Sequence, residues 1–171
     1  MISKEMEKAI NDQINKELFS AYYYFSMASY LESENFEGMA GFMKAQAFEE
    51  MGHATKFYNY VNEQGGRVIL EAIDKPKSEF DSPKQIFELA YEHEKLVTSL
   101  INKLVELALK ENDFATKTFL DWFITEQVEE EASMDSIVRK FDIVGDSGHG
   151  LLMLDGQLGQ RTPPVAMASE E

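Results

Sequence analysis

Apolar residues recur at spacings of three and four along four long segments of the chain, the pattern of helices that bury one face. In the first segment the inward positions are Ile10, Ile14, Glu17, Ala21, Tyr24 and Ala28. In the second they are Met43, Ala47, Glu50, Ala54, Phe57 and Val61. The third segment gives Phe87, Ala90, Glu94, Val97, Ile101, Leu104 and Ala108, and the fourth gives Leu120, Phe123, Gln127, Glu130, Met134, Ile137 and Phe141. The sequence therefore predicts an all-α fold.

Start and stop signals set the limits of these helices. Ser3, Ser82 and Asp113 are candidate N-caps, and proline at position 83 suits the first helical position. Two consecutive glycines, at positions 65 and 66, end the second helix. The predicted helices run from after Ser3 to about residue 34, from about 37 to 64, from 83 to about 110, and from 114 to about 142.

The link between the second and third helices is long enough to set the topology. A helix of about 28 residues is about 42 Å long, and about 17 extended residues reach about 56 Å. The link can therefore cross the whole bundle and leave these two helices parallel. We expect a four-helix bundle with one long crossover. After the glycine-rich GDSGHG, the segment LLMLDGQL predicts a short fifth helix, so the domain spans residues 1–160, and residues 161–171 are expected to be a flexible tail.

Each of the four inward faces contains one glutamate. These are Glu17, Glu50, Glu94 and Glu130, and each lies within about three residues of the middle of its helix. At 1.5 Å per residue the four carboxylates should lie within about 5 Å of a common plane, whichever way each helix runs. Carboxylates buried together without compensation cost on the order of several kcal/mol each or become protonated. Two divalent cations would balance four such charges, so the pattern predicts a dinuclear metal site.

His53 adds a nitrogen donor to this layer, because positions i and i+3 of a helix are neighbours and His53 follows Glu50 at that spacing. Carboxylate and imidazole ligands suit iron, manganese or zinc. The alternative is that the glutamates pair with lysine or arginine, or reach water at the edge of the bundle. No basic residue enters any of the four inward faces, which favours the metal site.

The net charge and the amino-acid composition limit which classes of binding partner the chain could have. The formal net charge of −15 argues against binding to nucleic acid or to an anionic membrane surface and favours cations. The chain contains no cysteine, which excludes thiolate metal sites and disulfides. No stretch is apolar enough for a membrane span or a signal peptide, so we expect a cytoplasmic protein.

The motifs NDQINKELFSAYYYF, QAFEEMGHATKFY, AYEHEK and FITEQVEEEAS, in this order, resemble the ferritins of the non-haem bacterial and archaeal type over about residues 1–160. The resemblance implies a first iron site at Glu17, Glu50 and His53, and a second at Glu50, Glu94 and Glu130, with two iron ions per subunit and Glu50 bridging. A third site of lower affinity would use Glu49, Glu126 and Glu129, and share Glu130. Tyr24 and Gln127 match family residues near the centre.

By the same resemblance, the protein would oxidise Fe(II) with O₂ or H₂O₂ and store the ferric product as a mineral inside a hollow shell of 24 copies. The run AYYYF at residues 21–25 is too apolar all round for one core to bury, which also suggests subunit contacts, although tyrosines can keep their hydroxyls in water. Tyr24 is either an electron donor or a packing residue; the sequence leaves both open.

Related families fit less well. In bacterioferritin a second Glu-x-x-His lies on the fourth helix, but here the residues are Gln127, Val128, Glu129 and Glu130. We therefore expect no haem, even though Met51 occupies the place of the haem-ligating methionine. Rubrerythrin requires paired cysteines, which are absent.

Two other classes of function remain open on the sequence alone. A di-iron oxidase of organic substrates would need an apolar pocket beside the metals, and a purely structural bundle would use the acidic layer only to fix its register. Trp122 and Phe123 are expected in the core.

Overall fold

The computed structural model describes residues 1–161 and contains five α-helices in that range. They are α1 (Lys4–Ser33), α2 (Glu37–Glu63), α3 (Pro83–Lys110), α4 (Phe114–Val144) and α5 (Gly148–Leu158). The predicted all-α fold, a four-helix bundle with a short fifth helix, is confirmed. Nearly the whole predicted tail lies outside the described residues; its first residue, Arg161, is within them.

The predicted N-caps close three of the helices. The Ser3 hydroxyl accepts the Met6 N–H at 3.0 Å, and the Ser82 hydroxyl accepts the N–H of residue 85 at 3.2 Å. A carboxylate oxygen of Asp113 accepts the Thr116 N–H at 3.0 Å. Each cap satisfies an N–H group that has no partner within its own helix, which is why these helices begin where the sequence indicates.

The crossover between α2 and α3 runs along the outside of α1. The Asn11 side chain donates to the carbonyl of Arg67 at 3.0 Å and accepts the N–H of Ile69 at 2.8 Å. Further along, the Ser26 hydroxyl donates to the carbonyl of Lys77 at 2.7 Å. The crossover therefore returns from the N-terminal end of α1 to its C-terminal end, so that α3 starts beside the start of α2 and runs parallel to it.

The core consists of two apolar clusters separated by a polar layer. One cluster lies around Met27, Phe87 and Phe141, and the other around Ile10, Phe57 and Phe123. Nine buried polar residues from the central parts of α1 to α4 separate these two clusters; they are Gln13, Glu17, Ser20, Gln46, Glu50, His53, Glu94, Gln127 and Glu130. Every inward position predicted from the 3-4 spacing is buried.

Helix α5 begins earlier than predicted and packs on the start of α2. The Ser147 hydroxyl accepts the Gly150 N–H, so the end of the glycine-rich break belongs to the helix. A carboxylate oxygen of Asp155 accepts the N–H of Met39 at 2.8 Å. A Cβ atom at Gly38 would lie 2.0 Å from the carbonyl oxygen of Asp155, so this close packing requires glycine at that position. None of the helices of residues 1–161 is both long and apolar enough to cross a membrane.

We expect Asn11→Ala to loosen the crossover, because the amide holds two backbone groups of that segment at once. The loss should be about 1–2 kcal/mol of the free energy of unfolding, with faster proteolytic cleavage near residues 65–73. Asn62→Ala is the matched control, since the Asn62 amide donates only to the Tyr58 carbonyl of its own helix. Equal cleavage rates in both variants would contradict the assigned role of Asn11.

Candidate metal centre

Four helices each contribute one glutamate to the polar layer. Glu17 lies on α1, Glu50 on α2, Glu94 on α3 and Glu130 on α4, and each is between 0% and 6% exposed. The 3-4 spacing turns all four toward the bundle axis, and their mid-helix positions bring them to one level between the two apolar clusters.

Three of the predicted site residues form a close group of ligand atoms. One oxygen of Glu17, one oxygen of Glu50 and one ring nitrogen of His53 all lie within 4.8 Å of one another. The Nδ1 atom of His53 is 3.5 Å from Oε2 of Glu50, as expected for residues at i and i+3. Glu94 and Glu130 lie outside this close group, but their negative charges reach Glu50 and raise its pKa.

Buried side-chain amides orient three of the four carboxylates. The amide of Gln13 donates to Oε1 of Glu17 at 2.7 Å. The amide of Gln46 donates to Oε2 of Glu130 at 2.8 Å. The amide of Gln127 donates to Oε2 of Glu94 at 3.1 Å. Each bond fixes one carboxylate oxygen and leaves the other free for a different partner.

The Tyr24 hydroxyl donates a second hydrogen bond to Glu94, at Oε1, so this carboxylate is held at both oxygens. Tyr24 is completely buried. Burial and the nearby charge of Glu94 raise the pKa of the Tyr24 phenol well above its ordinary value, which keeps the phenol protonated.

Electrostatics in the layer disfavour four bare negative charges. Burial raises the pKa of Glu17 and of Glu50 well above the ordinary carboxyl value, and neighbouring carboxylates add to the shift. Burial also raises the pKa of Glu94, although the hydrogen bonds from Tyr24 and Gln127 oppose this shift. For Glu130, burial and the charge of Glu94 raise the pKa to about 7.

The layer fits divalent metal ions. Oε2 of Glu17 and Oε2 of Glu50 are buried and have no hydrogen-bond partner within the described part of the chain, residues 1–161. Among residues 1–161 no lysine or arginine lies within 4.0 Å of any of the four glutamates, and the basic group that does lie within this distance of Glu50 is the imidazole of His53. Such oxygens, with one imidazole nitrogen beside them, are the ligands that iron, manganese and zinc accept.

The outer glutamates of the predicted third site lie at the rim of this layer. Glu126 has one oxygen 4.0 Å from Nε2 of His53 and is partly exposed. Glu49 is also partly exposed, and its carboxylate pairs with the guanidinium of Arg161. Glu129 is exposed to solvent. These three are therefore wetter than the four inner carboxylates.

Several residues of the site were not found by reading the sequence. Gln13 and Gln46 precede Glu17 and Glu50 by four residues, and this i, i+4 spacing on an inward face was the available signal. Trp122 was expected in the core, and this prediction is wrong: the side chain is 40% exposed. Its ring lies edge-on to His53, with 5.4 Å between the ring centroids.

His93 is a satisfied core histidine and not part of the close ligand group. Its Nε2 lies 2.7 Å from the Ser20 hydroxyl, and burial lowers the pKa of the imidazole to about 4. The ring packs edge-on against Tyr23 and Tyr24.

We expect Glu50→Gln to raise the unfolding temperature of the metal-free protein at mildly alkaline pH, because it removes a buried charge with which no lysine or arginine of residues 1–161 pairs. Adding Zn²⁺ should raise the unfolding temperature of the wild type by several degrees and that of the variant much less. Calorimetry with and without chelator measures both effects. Glu88→Gln, an exposed carboxylate on α3, should behave as the wild type; an equal Zn²⁺ response in the Glu50 variant would refute a role in cation binding.

Comparison with known proteins places the chain in a family. Residues 7–144 match the model of the ferritin-like domain. A bacterial non-heme ferritin of Bacteroides fragilis is 44% identical over 161 residues, which cover 94% of this chain and 100% of that protein. A probable bacterial non-heme ferritin-like protein of Haemophilus influenzae is 41% identical over 159 residues, covering 93% of this chain and 96% of that protein.

Solved structures agree with the sequence comparison. The open-pore ferritin of the archaeon Archaeoglobus fulgidus superimposes with a TM-score of 0.94 at 49% identity, covering 95% of this chain and 100% of that chain. The family assignment rests on three findings: the bundle architecture, the buried cluster of glutamate and histidine, and these similarities. The chain belongs to the ferritin-like family, within the non-haem ferritins of bacteria and archaea, a family of iron-storage proteins.

Proposed function

We propose that the polar layer is a ferroxidase centre that oxidises Fe(II) to Fe(III), and that the assembled protein stores the product as a ferric mineral. The observation that carries this proposal is the close group of Glu17, Glu50 and His53, which is buried and contains two carboxylate oxygens without a hydrogen-bond partner. A group built this way is a poor structural element by itself, because no lysine or arginine among residues 1–161 pairs with its carboxylates, and it becomes favourable when cations are bound.

In this proposal two Fe(II) ions are the substrate. The first is held by Glu17, Glu50 and His53, and the second by Glu50, Glu94 and Glu130. Glu50 bridges the two ions, which agrees with its central place: its pKa responds to the charges of both Glu94 and Glu130. Four ionised carboxylates balance two Fe(II) ions in charge, so the loaded layer is close to neutral inside a dry bundle.

Oxidation takes one electron from each Fe(II) ion. With O₂ as acceptor, two electrons and two protons yield one H₂O₂; with H₂O₂ as acceptor, the O–O bond breaks and two waters form. Two Fe(III) ions bring six positive charges against four carboxylates, so the ligand set is less well matched to the product than to the substrate. This imbalance favours movement of Fe(III) away from the four inner carboxylates, to further oxygen ligands toward the interior of the shell.

The surrounding side chains hold the geometry that oxidation requires. Tyr24 and Gln127 together fix both oxygens of Glu94, while Gln46 fixes one oxygen of Glu130. Carboxylates with fixed orientation hold two ions at a set separation, which lets both electrons pass to one acceptor.

Glu49, Glu126 and Glu129, with Glu130 shared, form the third site of lower affinity in this proposal. Their partial exposure distinguishes them from the inner four, because water screens their charges and weakens their hold on a cation. Solvent-exposed carboxylates that bind a cation weakly are better suited to passing an ion toward a mineral than to retaining one ion permanently.

Large exposed apolar side chains support assembly into a shell. Tyr22 on α1 is 52% exposed while Tyr24, two residues later, is buried. Further exposed apolar residues lie on the crossover, beside the turn between α3 and α4, and around α5; they are Ile69, Leu70, Ile73, Leu109, Phe114, Ile143, Leu152 and Met153. Several separate apolar patches on one chain suit contacts with several neighbouring copies, as a closed shell of 24 requires.

Adding Fe(II) in air to the metal-free protein should give fast oxidation of about two ions per chain, followed by slower turnover. Glu50→Ala should slow the fast phase by about 100-fold, because both ions lose a ligand. Stopped-flow absorbance measures the rates, and Glu88→Ala is the control that should match the wild type. Wild-type rates in Glu50→Ala would remove Glu50 as the bridge.

For assembly, we expect a particle of about 470 kDa, since 24 chains of 19.5 kDa combine. Light scattering coupled to size exclusion measures the mass, and the same fractions should retain a soluble ferric core after repeated additions of Fe(II). A monomer or dimer, or ferric precipitate in place of a core, would exclude storage inside a shell.

A further inference from the structure

Arg161 follows the last turn of α5 and reaches back to the rim of the polar layer. Its guanidinium pairs with Oε2 of Glu49, and the two side chains are only 24% and 30% exposed. The guanidinium carbon lies 4.4 Å from the ring centroid of Phe42, so an aromatic face supports the cation from a second side. The contact joins residues 112 positions apart, across the packing of α5 on α2.

This ion pair lies next to the bridging residue of the proposed ferroxidase centre. Glu49 directly precedes Glu50 in α2, and its negative charge raises the pKa of Glu50. The positive charge of Arg161 also reaches Glu130 and lowers its pKa, which opposes the effect of burial there. One guanidinium therefore acts on two carboxylates of the proposed third iron site.

We propose that Arg161 is a tethered counter-cation that occupies the Glu49 carboxylate and competes with iron for the third site. This inference rests on the third site of the proposed function and adds what controls it. An ion at Glu49 and the guanidinium paired with the same carboxylate repel each other in this partly buried setting, so the guanidinium weakens ion binding there. An ion that binds there therefore favours release of Arg161 from Glu49.

The competition has a consequence for the end of α5. The last turn of α5 is tied to the bundle through Arg161, and the Arg161 N–H donates to the Leu158 carbonyl at 3.2 Å. Since coupling between two binding equilibria is reciprocal, an ion that displaces the guanidinium also loosens this turn, and a free Arg161 strengthens ion binding at Glu49. Binding of iron at the third site is thus coupled to the contact that attaches the end of α5 to the bundle.

The test measures Fe(II) binding under anaerobic conditions, with isothermal titration calorimetry on the full-length assembled protein. Arg161→Gln should increase the affinity of the third site about tenfold, which is the effect of removing one partly buried competing charge. Arg161→Lys keeps the charge and should stay near the wild type. Arg139→Gln is the matched control, because Arg139 is exposed and pairs with Asp135 of its own helix.

A second measurement separates competition from a merely structural role. Hydrogen exchange of the backbone amides in residues 155–161 should accelerate in the wild type when Fe(II) exceeds two ions per chain. In Arg161→Gln the exchange should be fast already without iron and unchanged by it. A structural contact alone would make exchange faster in the variant without making wild-type exchange depend on iron.

The outcomes are distinguishable from failure of the proposed function. Fast oxidation of two ions per chain is measured separately in Arg161→Gln, Arg161→Lys and Arg139→Gln and should be intact in these three variants. If the third-site affinity is equal in the wild type and Arg161→Gln, or if no third ion binds to Arg161→Gln, the inference is wrong. It is also wrong if the gain persists after Glu49→Gln is added, since the effect would then not act through Glu49.

Discussion

Four carboxylates at one level of a dry bundle repel one another and cannot be solvated, and much of the structure can be understood from this constraint. The layer divides the apolar core into two clusters instead of one. Gln13, Gln46 and Gln127 supply amide donors, which are neutral and so do not neutralise the carboxylates as lysine or arginine would. The charge is left for mobile cations to balance, and a site that depends on cations in this way is suited to binding iron.

The topology of the bundle also brings the four glutamates of this layer to the same height. Mid-helix glutamates stay at one height whether a helix runs up or down, so the bundle needs only long helices of similar length and a crossover that spans them. Asn11 and Ser26 on α1 fasten that crossover by accepting or donating hydrogen bonds to its backbone. Ile69, Leu70 and Ile73 of the crossover remain exposed on the outside, where other copies of the chain could contact them.

The solvent exposure of the carboxylates increases from the inner polar layer to its rim. Glu17 and Glu50 are buried, and each has one oxygen without a hydrogen-bond partner among residues 1–161, whereas Glu49 and Glu126 are partly exposed and have a guanidinium or an imidazole as neighbour. In the proposed ferroxidase centre, a gradient of this kind would give tight binding where two ions are held together and weak binding where one ion leaves. Arg161 adds a fixed positive charge at the boundary between the two regions.

The sequence by itself determined the helices, their caps, the faces they bury and the four glutamates on those faces. This information is local, because a period of 3.6 residues and a capping side chain act within one helix. Only the tertiary structure decided which side chain meets which across helices: the amide of Gln46 with Glu130, the guanidinium of Arg161 with Glu49, and the exposure of Trp122 beside His53. These contacts depend on the rotation and register of packed helices, which no periodicity within a single helix encodes.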